Sequence, residues 1–172
     1  ALLGGRRSFK KTKLTVQRWP ECVSCLVFFG YSPTFAGAPL ADGEGDTPPA
    51  AGRNSAAVAA SDFLTPGSIS QAAIDVYVKT AIDADPVRVN WRGESQWDEL
   101  DPSSVRIPTL LLHAEFDPIA TPLQRASLFD ALGTPDRTAI ELRGADHMAF
   151  IESSRRDFLK ALVGFMEQHR GG

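Results

Sequence analysis

The chain has 172 residues, 43% of them hydrophobic and 23% charged, with 14 Gly, 12 Pro and two Cys. This is the size and make-up of about one globular domain built on a packed core, and it excludes a disordered, collagenous or disulfide-stapled chain. The net charge of −3 is unevenly spread: residues 1–18 carry Arg6, Arg7, Lys10, Lys11, Lys13 and Arg18 with no acid, while the remainder holds 12 basic against 21 acidic side chains.

Residues 1–18 read as a basic leader with no assigned fold. A nucleic-acid arm or a transit peptide has such a charge, but no aromatic platform or apolar signal run accompanies it, so no nucleic-acid partner is expected. Because the first residue is Ala1, a cut or mis-started N-terminus is expected. The longest uncharged stretch, 22–41, fails as a membrane span: only Leu26 to Phe29 is densely apolar, and Gly30, Pro33, Gly37 and Pro39 follow. The expectation is a cytoplasmic chain with no membrane partner.

In chain order, Cys25 to Phe29 is a short apolar strand. From Gly30 to Gly67 there are five Pro and six Gly, which predicts a long lid-like insertion, taken as about 31–104. Within it, Ser68 to Asp85 has helical spacing, with Ser68 and Gln71 as a capping box and Ile69, Ala73, Val76, Tyr77 and Thr80 on one face. Thr109 to His113 is continuously apolar between Pro108 and Pro118, as in a parallel strand covered on both faces. Thr121, Pro122 and Gly133 punctuate a helix carrying Leu123, Ala126, Phe129 and Leu132. Thr138 to Leu142 is a third strand, and a last helix runs from about Ser153 to His169, with Phe158, Leu159, Leu162, Val163, Phe165 and Met166 on its apolar face. Strands alternating with helices give an α/β class with a short parallel sheet flanked by helices.

In open α/β sheets, ligand crevices lie beyond the carboxyl ends of the strands. Two neighbouring ends carry titratable groups: Glu115 and Asp117 after the second strand, Asp146 and His147 after the third. A carboxylate there can fix the tautomer of an imidazole and leave its other nitrogen as a general base. Asp117 is preferred to Asp146 as that carboxylate because it comes from the neighbouring strand. The bland alternative is that Asp117 caps the helix beginning near Thr121.

The stretches IPTLLLHAEFDPIAT and GADHMAFIE, with a thirty-residue interval from Asp117 to His147 and a closing amphipathic helix, resemble the last two strands of the α/β-hydrolase fold serine hydrolases. WPECVSCLVFFGYSP is similar to that family's strand before the lid. The resemblance covers about Trp19 to the C-terminus and implies a partial α/β-hydrolase fold over 19–172. It makes Asp117 the triad acid and His147 the triad base, acting on a small-molecule ester or similar acyl bond with no cofactor and no metal.

The family's nucleophile sits in a G-x-S-x-G elbow on an earlier strand. Ser8 in GGRRSFKK is flanked by Arg and Phe where the sharp turn needs small residues. Ser32 precedes Pro33, which lacks the N–H an oxyanion hole needs. Two residues after Ser95, Trp97 stands in place of the packing glycine. The expectation is therefore a chain inactive on its own, with the nucleophile strand absent and the edge of Leu26–Phe29 left open to self-association. The alternative is a non-catalytic half-hydrolase that binds a ligand or a partner. Cys22 and Cys25 have redox-motif spacing but lie at the start of a strand rather than at a helix N-terminus, where thiols are activated; His113 and His169 read as core and helix-end residues.

Overall fold

A computed structural model describes residues 1–5, 9–30, 52–88 and 101–170. Four parallel strands form the main sheet: β1 (Leu2–Gly5), β2 (Leu26–Phe29), β5 (Thr109–Ala114) and β6 (Arg137–Leu142), in the spatial order β1-β2-β5-β6. Each strand pair runs in simple register, for instance Gly5 with Phe29, Phe29 with Leu112 and Ala114 with Leu142. Helix α1 (Phe9–Arg18) links β1 to β2, α4 (Pro122–Ala131) links β5 to β6, and α5 (Arg155–Gln168) follows β6.

The continuous apolar runs are explained by burial on both faces. Val27, Phe29, Leu110, Leu112 and Ala114 point to one side, where Phe158, Leu162 and Phe165 of α5 pack. Leu26, Phe28 and Leu111 point to the other, against Val16 of α1 and Leu128 of α4. The α/β class and the partial parallel sheet predicted from the alternation are what the fold contains. The helix punctuation at Thr121 is realised in full: its hydroxyl accepts the Gln124 N–H, Gln124 reaches back to the Thr121 N–H, and Pro122 opens the helix.

Two expectations need correction. The strand that was to be missing beside β2 is present: Leu2–Gly5 pairs with it along its whole length, so the edge of Leu26–Phe29 is covered. Among the described residues, β1 and β6 are the edge strands. The basic leader concealed this element, because Leu2-Leu3 is a very short apolar run and six cations follow it. One of those cations is no surface charge. Lys13 is fully buried on the inward face of α1 beside Thr12 and Val16, and its amine is pushed down to about 7 by burial, against the opposing pull of Asp101.

The second correction concerns the insertion. Its described part holds β3 (Gly52–Arg53) paired antiparallel with β4 (Val87–Arg88), α2 (Ala56–Ala60) and α3 (Gln71–Ala84). Ser70, not Ser68, caps α3 by accepting the Ala73 N–H. Val76 is 67% exposed and no α3 side chain is fully buried, so the face predicted for the core faces outward in part. Tyr77 instead holds Phe63 edge-on at 5.1 Å. The last helix is also narrower in its packing than its sequence pattern: Phe158, Leu162 and Phe165 are buried, but Leu159 and Val163 are 45% exposed.

Candidate active site

Backbone ties bring the ends of β5 and β6 together. The Glu115 N–H donates to the Leu142 carbonyl at 3.0 Å and the Phe116 N–H to the Ala145 carbonyl at 2.9 Å. The Glu115 side chain then accepts the Gly144 N–H at 2.7 Å. These three bonds set the loop after β5 against the loop after β6, and the residues they align are Asp117 and His147.

His147 Nδ1 lies 2.8 Å from Asp117 Oδ2, and both side chains are nearly sealed, 6% and 9% exposed. A carboxylate offers only acceptors, so in the neutral ring Nδ1 carries the proton and Nε2 keeps its lone pair. The other Asp117 oxygen accepts the Ile119 N–H at 3.0 Å, which fixes the carboxylate plane. The capping alternative for Asp117 is excluded, since Thr121 caps α4. Asp146 is not the partner of the imidazole: its oxygens are held by the N–H groups of Leu64, Thr65 and Met148.

Two neighbours shape the pair. Phe29, the last residue of β2, lies nearly parallel to the imidazole at 6.4 Å and edge-on to Phe158 at 4.9 Å. Gly30 follows with φ +53°, and a Cβ there would stand 2.7 Å from His147 Cε1 and 3.5 Å from Asp117 Oδ2. Only glycine satisfies both the left-handed backbone and the contact. Sequence reading missed Gly30 as a site residue; its signal was its position one residue past an apolar strand.

His113, on β5, shares a cavity of about 10 Å³ with Gly30, Asp117 and Arg125. Burial, then the Arg125 charge, lower its pKa to about 4 against the attraction of Asp117, so its ring is neutral at pH 7. His169 caps the end of α5, where its Nδ1 lies 3.6 Å from Asp136. Cys25 is buried and Cys22 exposed. Among the described residues no group of three potential ligands could hold a metal, and no helix is long and apolar enough to cross a membrane.

The serines weighed as nucleophiles, Ser8, Ser32 and Ser95, lie outside the described residues. The elements around the first of them are informative. β1 ends at Gly5 and α1 begins at Phe9, which makes a parallel strand, a three-residue connection and a helix next to the strand that carries Gly30. In the α/β-hydrolase fold the serine elbow joins a strand to the helix that follows it. The sequence across it is Gly4-Gly5-Arg6-Arg7-Ser8: glycine comes first, but arginine holds the third place and serine the fifth.

This architecture and rim define the α/β-hydrolase fold, and comparison with solved structures agrees. The monoacylglycerol lipase of Paleococcus ferrophilus superposes with a TM-score of 0.63 at 22% identity, over 98% of this chain and 68% of that one. A serine hydrolase involved in carbazole degradation gives 0.63 at 20% identity, over 96% and 62%. A bromoperoxidase from Bacillus anthracis gives 0.62 at 16% identity, over 96% and 66%. The chain thus has a partial α/β-hydrolase fold and spans about two thirds of the length of these neighbours. No family model matches the sequence, nor does any curated protein sequence.

Proposed function

We propose that this chain is the acid, base and lid portion of a serine hydrolase for ester or similar acyl bonds, and that on its own it does not turn over. Asp117 is the acid that orients and steadies the imidazole. His147 is the general base, its free Nε2 accepting the proton of an attacking hydroxyl and returning it to the leaving group. Residues 52–88, together with the flanking segments of the insertion, are the lid. The observation that carries the reading is the sealed 2.8 Å contact between His147 Nδ1 and Asp117 at the tips of adjacent parallel strands.

Inactivity follows from the sequence between β1 and α1, where arginine stands in the nucleophile's place. Loss of the triad serine alone costs about as much as loss of the whole triad, on the order of 10⁶ in kcat, a magnitude known from subtilisin. The test is to rebuild the elbow. The double variant Arg6→Ser with Ser8→Gly turns GGRRS into GGSRG, which satisfies G-x-S-x-G. A fluorophosphonate probe should leave the parent chain unlabelled, label the double variant, and fail again when His147→Ala is added. Labelling of the parent would contradict the inactive reading. No labelling of a folded double variant would contradict the placement of the elbow.

The alternative, a non-catalytic half-hydrolase that binds a ligand or a partner, is favoured by one feature: arginine stands where the nucleophile belongs while the acid and base remain paired. It predicts that the parent chain captures a specific ligand or protein without reacting with the probe.

A further inference from the structure

A second pair of acids is buried on the loop that carries His147. Asp146 is fully buried and Glu152 is 5% exposed. Asp146 accepts the N–H groups of Leu64 at 2.7 Å and Thr65 at 2.6 Å through one oxygen, and that of Met148 at 2.9 Å through the other. Glu152 accepts the Ser68 hydroxyl at 2.7 Å, and the Ser153 N–H donates to the Ser68 carbonyl at 2.9 Å. The bonds to Leu64, Thr65 and Ser68 all run from one stretch of the insertion to the histidine loop.

The two buried carboxyls also act on each other, Asp146 pushing Glu152 up and Glu152 pushing Asp146 down. Two ionised carboxylates buried together on one loop repel, so one of them carries a proton. The distribution of donors decides which. Asp146 already receives three backbone N–H groups, which favour its charge, whereas Glu152 Oε2 is buried and receives none. The proton belongs on Glu152.

We propose that Asp146 and Glu152 are positioning residues that share one proton and latch residues 64–68 onto the loop carrying His147. The consequence for chemistry rests on His147 being the base; the latch itself does not. In this arrangement the covering segment and the base cannot move independently, so the depth of any site beneath the lid is set by the loop that holds the imidazole.

The electrostatics agree with the geometry. Burial, then the hydrogen bond and charge of Asp146, raise Glu152 from 4.5 to about 7 against the Ser68 hydroxyl. Burial alone pushes Asp146 up, but the Met148 N–H, Glu152 and the Thr65 and Leu64 N–H groups together hold it below its ordinary value. Asp146 is the charge that bears on Glu152; Asp62, the one charged residue of 61–70, and the exposed Arg155, Arg156 and Asp157 of α5 do not act on it. A carboxyl whose value is higher in the closed state favours that state below its ordinary value. The latch is therefore full at about 4.5 and weakens as pH rises to about 7 with Glu152, while in stronger acid protonation of Asp146 removes the acceptor of the Leu64 and Thr65 N–H groups.

Amide hydrogen exchange by NMR on the full chain tests this. Once corrected for intrinsic exchange, protection of the Leu64 and Thr65 amides should fall across that window in the parent. In Glu152→Gln, whose side chain stays neutral at every pH, protection should stay level with pH. In Asp146→Asn it should drop at least about tenfold throughout. The Leu111 and Leu112 amides of β5 report that each variant is folded. If the Asp146 variant does not fold, the Glu152 variant carries the test. A Glu152→Gln curve that follows the parent's pH course would overturn the proposal. Failure of the rebuilt elbow to label would leave these curves untouched, so the two readings fail separately.

Discussion

Two stretches of the same sheet rim were built to different standards. At the tips of β5 and β6, backbone bonds and the Glu115 side chain tie two loops together, and the acid–imidazole pair they align is sealed behind Phe29 and Gly30. At the tip of β1 a parallel strand gives way to helix α1, and the three residues between them are Arg6-Arg7-Ser8. The difference teaches that an Asp–His pair in good geometry does not itself testify to catalysis. The ties that hold the pair run between β5 and β6 and require nothing of β1.

The comparison can be broken from either side. The largest effect belongs to the β1–α1 region. If α1 is an integral layer of the fold, then Lys13, held near 7 by burial, makes stability depend on pH: the amine binds its proton more weakly folded than unfolded. Unfolding free energy should fall as pH drops from about 10.5 to about 7, by on the order of 5 kcal/mol, and Lys13→Met should flatten that slope. Denaturant titrations across this range read it, and an unchanged slope in the variant would return residues 1–18 to the status of a loose leader.

On the other side of the comparison, Gly30→Ala adds a Cβ 2.7 Å from the imidazole at a left-handed residue. The combined strain and clash should cost about 2–4 kcal/mol and disturb the His147–Asp117 contact. Urea unfolding measures the first and the His147 ring resonances the second. A smaller loss, about 1 kcal/mol, is expected for Glu115→Gln, which weakens the hydrogen bond to the Gly144 N–H on an exposed loop. If Glu115→Gln moved the His147 resonances as far as Gly30→Ala does, the side-chain tie would matter more than the close contact.

The unequal legibility of these regions has physical causes. β5 could be read because prolines bound an uninterrupted apolar run, and α4 because Thr121, Pro122 and Gly133 each have one strong local preference. The pairing of Asp117 with His147 followed from their positions after adjacent strands and from the resemblance of the surrounding stretches. β1 could not be read: Leu2-Leu3 is too short to show periodicity, and Lys13 looks like surface until α1 is packed on the sheet. The cap of α3 went to Ser70 because Ser68 is spent on Glu152, a contact 84 residues away that no local pattern reveals.

The measurement closest to the central claim is the tautomer of the neutral His147 ring, read from two-bond ¹H–¹⁵N correlations of the imidazole. The account predicts a proton on Nδ1, held by Asp117, and an unprotonated Nε2. A ring protonated at Nε2 alone, with Nδ1 bare, would contradict it.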